Sequence, residues 1–86
     1  MFPLAITCGN TYVLKPSERV PNTAAYLVKL LQECKLPPGV LNIVNGGWDT
    51  TKAICAHPDI RAISFVGGNQ AGDYIYENGA KTHKRM

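Results

Sequence analysis

Gly9-Asn10-Thr11-Tyr12-Val13-Leu14-Lys15-Pro16-Ser17-Glu18 decides how the rest of the chain is read. Thr11 to Leu14 is a run of β-branched, aromatic and aliphatic residues, long enough for a buried strand and too short for a helix. Pro16 ends the run, because proline has no N–H to give a ladder and drives Lys15 into an extended conformation. Lys15 and Glu18 are therefore expected just past the carboxyl end of a parallel strand, the edge at which open α/β sheets bind ligands. A cation and a carboxylate so placed form a candidate binding pair. Two ordinary surface charges would look the same in sequence, and both readings stand at this point.

The same punctuation continues outward. Val20-Pro21-Asn22 predicts a helix start, with Pro21 tolerated in the first turn. Ala24, Leu27, Val28, Leu31 and Cys34 recur at helical spacing as one apolar stripe, opposite Lys29, Gln32 and Glu33. Pro37 and Pro38 cannot continue that helix, and Val40 to Val44 reads as a second strand, turned at its end by Asn45-Gly46-Gly47. Asp49 is expected to cap a second helix from Thr50 to about His57, stopped by His57-Pro58-Asp59. Ile60 to Val66 is apolar enough for a third strand covered on both faces. Gly67-Gly68-Asn69-Gln70-Ala71-Gly72 then opens a helix carrying Tyr74, Ile75 and Tyr76, with Asn78-Gly79 as its C-cap. Strand and helix thus alternate three times. Right-handed crossovers turn that order into a three-layer α/β/α arrangement, a Rossmann-like parallel sheet with helices on its faces.

Composition narrows the function classes. The 86 residues make at most one small domain, 45 % of them apolar, with no stretch long enough to span a bilayer. Met1 to Ile6 is apolar but lacks a basic leader and is interrupted by Pro3. It suits a segment packed against something better than a signal peptide. No targeting signal is visible, so the compartment is open. Cys8, Cys34 and Cys55 form no CxxC pair and support neither a zinc site nor a disulfide framework; buried small apolar residues are expected. The formal charge of +3 is modest. Its local source, Lys81, His83, Lys84 and Arg85, has no interleaved aromatics and suits a solvated helix end rather than a nucleic-acid surface.

Every predicted strand ends, at one edge of the sheet, in charge or glycine. The third ending is the most informative. A glycine pair between strand and helix lets backbone approach a ligand closely, and a helix N-terminus offers free N–H groups to an anion. Gly72 removes a side chain where the helix passes a ligand or the sheet. This is a phosphate-binding layout without the GxGxxG fingerprint, and plain tight turns remain the alternative.

Several blocks together carry a resemblance. Gly9-Asn10-Thr11 with Lys15-Pro16-Ser17-Glu18, then Leu36-Pro37-Pro38-Gly39-Val40-Leu41-Asn42-Ile43-Val44, His57-Pro58-Asp59-Ile60 and Ser64-Phe65-Val66-Gly67 resemble the aldehyde dehydrogenase superfamily in order and spacing across essentially the whole chain. Glu18-Arg19-Val20-Pro21, the short Gly46-to-His57 segment, Ile63 to Gly67 and Lys84-Arg85 resemble its CoA-acylating branch, which oxidises methylmalonate semialdehyde. The resemblance implies an NAD-binding domain, a variant Rossmann fold, with residues 1–86 as a single partial domain of a longer enzyme. It implies that Lys15 and Glu18 hold the adenosine ribose hydroxyls. The chemistry agrees, since a carboxylate accepts from vicinal hydroxyls and an ammonium donates to their oxygens. Arg19 is a candidate for further cofactor contact, and Gly67 and Gly68, followed by Gly72, would meet the pyrophosphate.

Two departures from the family pattern qualify that implication. Gly68 stands where the family usually carries serine, removing one hydrogen bond to phosphate at a net cost of about 1 kcal/mol. The family's nucleophilic cysteine, general-base glutamate and oxyanion-stabilising asparagine lie in motifs not present here, and Cys8, Cys34 and Cys55 do not match the nucleophile's surroundings. The chain alone is expected to be a catalytically inactive fragment. The parent reaction implied by the resemblance is attack of a cysteine thiolate on the aldehyde, hydride transfer to NAD and transfer of the acyl group to CoA. A hydrolysing aldehyde dehydrogenase of another branch and a stand-alone nucleotide-binding α/β module are the alternatives. The resemblance further implies small-molecule partners only, the aldehyde and CoA, with no nucleic acid and no membrane. It also implies a homotetrameric parent enzyme, in the mitochondrial matrix of eukaryotes or the cytoplasm otherwise.

Overall fold

A computed structural model describes all 86 residues. They form α1 (Phe2–Thr7), β1 (Tyr12–Leu14), α2 (Pro21–Glu33), β2 (Leu41–Ile43), α3 (Trp48–Ala56) and α4 (Asn69–Lys81), a mixed helix and strand structure with a small parallel sheet. The chain divides into two compact units, Met1–Gly47 and Trp48–Met86.

In the first unit, β1 pairs in parallel with β2, Tyr12 opposite Leu41 and Leu14 opposite Ile43. The pairing overruns both strands: Tyr12 N–H donates to the Val40 carbonyl at 2.7 Å and Val44 N–H to the Leu14 carbonyl at 2.9 Å. A parallel pair needs a crossover, and α2 supplies it. α2 starts with Pro21 in its first turn and buries Val28. Leu41 and Pro16 are the other buried apolar residues of this unit. Of the expected stripe, Ala24 and Leu31 are half-buried, while Leu27 and Cys34 are exposed. A left-handed Gly39 (φ +83°) completes the turn into β2, where the Asn42 amide donates to its carbonyl at 2.9 Å.

Met1 to Ile6 is helical where a packed segment of no stated form was expected. Phe2 sets its ring edge-on to Tyr12, centroids 6.2 Å apart, and the Ala5 carbonyl accepts from Asn10 N–H at 3.1 Å. Leu4 is 77 % exposed.

The second unit corrects four expectations. Ile60 to Val66 is not a strand: it forms one isolated parallel bridge, Ala62 with Arg85, through Ile63 N–H to the Arg85 carbonyl and Arg85 N–H to the Arg61 carbonyl. Apolar content makes a segment suitable for a sheet, but only a partner along its length makes it a strand. α3 begins at Trp48, not Thr50, because Trp48 packs on Tyr74 of α4, ring centroids 4.7 Å apart. Asp49 therefore sits in the first turn, not at the cap, where its charge still meets the positive end of the helix.

Asn78 and Gly79 lie inside α4, not at its C-cap. The Asn78 amide donates back to the Tyr74 carbonyl at 2.8 Å, and Gly79 is buried where a Cβ would lie 2.6 Å from the Met86 sulfur. The helix ends instead in a Schellman motif: Lys84 N–H donates to the Gly79 carbonyl at 3.0 Å and His83 N–H to the Ala80 carbonyl at 3.1 Å. His83 holds the left-handed position (φ +60°) that glycine fills at least cost. His83→Gly is expected to raise the urea midpoint, by a stabilisation of about 1 kcal/mol; an unchanged or lower midpoint contradicts this account of the helix end.

Lastly, Lys84 is not part of a solvated helix end. It is 7 % exposed, and its ammonium donates to the carbonyls of His57 and Ile60, pinning the turn that stops α3. Only one cysteine matches its expectation. Cys55 is buried, whereas Cys8 and Cys34 are exposed, each at the C-cap of a helix. Burial raises the Cys55 thiol pKa above its ordinary value of 9.0, against a weaker lowering pull from Lys84. Iodoacetamide at pH 8 should therefore label Cys8 and Cys34 and spare Cys55 until the unit unfolds. A raised folded pKa means the Cys55 contribution to stability is complete below the unfolded value and is lost as pH rises through the folded one. The urea midpoint should accordingly fall on going to alkaline pH, and less so in Cys55→Ala.

Candidate functional site

At the carboxyl end of β1 the first unit brings together what the sequence singled out. Pro16 is buried and anchors the turn, so Lys15 emerges half-buried directly behind the last paired residue. Lys15 Nζ donates to the Pro16 carbonyl at 3.1 Å, which folds the side chain back over the turn and leaves ammonium donors to spare. Ser17 shapes the next step: its carbonyl accepts from Val20 N–H at 3.2 Å and its hydroxyl oxygen from Arg19 N–H at 3.3 Å. Glu18 and Arg19 are exposed as a result.

The Glu18 carboxylate reaches the turn that follows β2. A Cβ at Gly47 would lie 2.5 Å from Glu18 Oε2. Parallel strands put their ends on the same edge, so the turns after β1 and β2 meet there. Sequence reasoning placed Gly47 at this edge without linking it to Glu18, since only the strand register brings the two together.

In the second unit, Gly68 is the N-cap of α4, extended at φ −70° and ψ 156°, with no side-chain cap hydrogen bond. The first helical bond runs from Gly72 N–H to the Gly68 carbonyl at 3.0 Å. The amides between them have no intrahelical acceptor and carry the positive end of the helix dipole. A Cβ at Gly68 would meet nothing within 4 Å, so the space above this turn is open. Gly67 and Gly72 differ. A Cβ at Gly67 would lie 2.6 Å from Phe65 Cζ, and one at Gly72 would lie 3.4 Å from Phe65 Cε1. What passes Gly72 is the Phe65 ring. No sequence signal announced this, because the contact depends on how the chain doubles back between residues 65 and 72.

No group of three or more His, Cys, Asp or Glu residues could hold a metal ion, and no helix is long and apolar enough to cross a membrane. The chemistry available is that of recognition: a cation and a carboxylate at one strand end, and an uncapped, glycine-lined helix N-terminus.

Comparison with known proteins gives these features a context. The aldehyde dehydrogenase family matches residues 1–86. A mitochondrial, acylating methylmalonate-semialdehyde/malonate-semialdehyde dehydrogenase of Mus musculus is 57 % identical over the whole chain, which covers 16 % of that relative. A malonate-semialdehyde dehydrogenase of Lacticaseibacillus casei is 55 % identical, again over the whole chain and 18 % of the relative. Among solved structures, a protein of Sinorhizobium meliloti assigned as methylmalonate-semialdehyde dehydrogenase, crystallised with NAD, superposes with a TM-score of 0.96 at 48 % identity. That superposition takes in 99 % of this chain and 17 % of the other. The chain thus spans about a sixth of the length of the relatives it matches. With a family match over its full length, this chain belongs to the aldehyde dehydrogenase family.

Proposed function

We propose that this chain supplies NAD-binding residues of an aldehyde dehydrogenase that oxidises methylmalonate or malonate semialdehyde and passes the acyl group to CoA. The observation that carries the reading is the likeness, at 48 % identity and a TM-score of 0.96, to a relative crystallised with NAD. The residues suit that cofactor. Open space over Gly68 and an uncapped α4 N-terminus fit a pyrophosphate, and the Lys15–Glu18 turn fits a ribose diol.

The chemistry that bound NAD would supply is that of a hydride acceptor. The chain's own residues hold and orient. Glu18 accepts from the two ribose hydroxyls, and Lys15 donates to their oxygens. Arg19, one residue on and exposed, is placed for an additional cofactor contact. Gly67 and Gly68 present backbone N–H groups to the pyrophosphate at the start of α4, with Gly72 closing the first turn behind them. Glycine in place of the usual serine at position 68 forgoes a hydroxyl donor, so binding is weakened but not abolished.

The remaining proposals follow from the family. Residues 1–86 are one part of a three-layer, Rossmann-like NAD-binding domain. Exposed Val13, Val44, Phe65 and Val66 are the kind of surface that further parts of such an enzyme cover. The chain alone catalyses nothing; the whole enzyme is a homotetramer, mitochondrial in eukaryotes and cytoplasmic in bacteria, with the aldehyde and CoA as its partners. Calorimetric titration of the chain with NAD tests the reading. Saturable binding is the expected result, and a folded chain that releases no heat with NAD overturns it.

A further inference from the structure

The Phe65 ring lies on two glycines that flank the N-terminus of α4. It comes within 2.6 Å of where a Cβ of Gly67 would be and within 3.4 Å of where a Cβ of Gly72 would be. One rigid ring thus covers the α-carbon surfaces both before and after the Gly68 cap. Glycine has the widest conformational freedom of any residue, and a run of two at a helix start is free to move unless something holds it. At Gly68 the Cβ direction is open, and the backbone is held by the bond from Gly72 N–H to the Gly68 carbonyl at 3.0 Å. Side-chain capping is absent. The ring is the group in contact with both glycines.

We infer that Phe65 is a positioning residue for phosphate: its ring, seated on Gly67 and Gly72, fixes the Gly67–Gly68 backbone so that the N–H groups at the start of α4 point at a common acceptor. The inference rests on the proposed NAD reading and adds to it the group that holds the phosphate turn in shape. It also places Gly72 against the ring, since a Cβ there would lie in ordinary van der Waals contact with Phe65. Preorganised N–H donors bind an anion without an ordering cost at the moment of binding, and a loosened pair must be ordered by the ligand itself.

The test compares NAD with adenosine, which has the ribose but no phosphate, in calorimetric titrations of the chain and of Phe65→Ala and Phe65→Leu. Circular dichroism confirms folding of each variant, and Phe65→Leu keeps the comparison open should Phe65→Ala fail to fold. Phe65→Ala is expected to weaken NAD roughly tenfold, the loss of about one well-aligned bond to a charged acceptor, while adenosine binding stays within about twofold. Phe65→Leu, which keeps an apolar group against the glycines, should weaken NAD less. Equal weakening of both ligands, or NAD affinity unchanged in folded Phe65 variants, overturns the positioning role and leaves the cofactor reading intact. Failure of the unsubstituted, folded chain to bind NAD overturns both.

Discussion

Lys84→Met is expected to destabilise the second unit by about 2–3 kcal/mol, seen as a lower urea midpoint and faster amide exchange around His57 to Ile60. Methionine keeps the apolar stem of lysine in place but takes away the donor that both the His57 and Ile60 carbonyls share. Those carbonyls sit in the turn that ends α3, where the Ile60 N–H to His57 carbonyl contact, at 3.3 Å, is long and weak. The ammonium is therefore a direct tie between the turn after α3 and the segment after α4, beside the Thr82 hydroxyl that donates to the Cys55 carbonyl at 3.2 Å. The backbone bonds that end α4 do not involve the Lys84 side chain, so the substitution isolates the ammonium's contribution. An unchanged midpoint would show that water replaces the ammonium without loss.

Lys15→Ala combined with Glu18→Ala should lower affinity for NAD by about a hundredfold, or about 3 kcal/mol, with folding retained. The size follows from losing charge-assisted bonds on both sides of the ribose diol. Folding should survive because Glu18 is exposed and the Lys15 ammonium donates only to the carbonyl of the next residue, Pro16. Glu18→Gln should lose less, since an amide oxygen still accepts one hydroxyl. Equal NAD affinity in the double variant and the unsubstituted chain would remove Lys15 and Glu18 from the cofactor site.

The first unit was legible in the sequence because its cues are local. Pro16, Pro21 and the Pro37–Pro38 pair cut the chain into β1, α2 and β2, and each element then follows from a short run of apolar spacing. The placement of Lys15 and Glu18 beyond β1 needed nothing more. The second unit was less legible because its decisive contacts are long-range. Ile60 to Val66 has a strand's composition but one bridge, and pairing is a property of two segments that neither can announce alone. Lys84 sits in a run of cations that reads as solvated, yet the Schellman turn at His83 swings it back onto the end of α3. Gly72 was visible as a missing side chain, but the Phe65 ring beside it was not.

NAD is proposed to bind at the turn after β1 and at the start of α4. Amide chemical-shift mapping by NMR during an NAD titration tests it most directly, since it reports binding and location together. The account predicts saturable shifts at Lys15 to Arg19 and at Gly67 to Gly72, with residues around Lys81 to Arg85 unmoved. Shifts confined to that basic C-terminal run, or none at all in a folded chain, would contradict it.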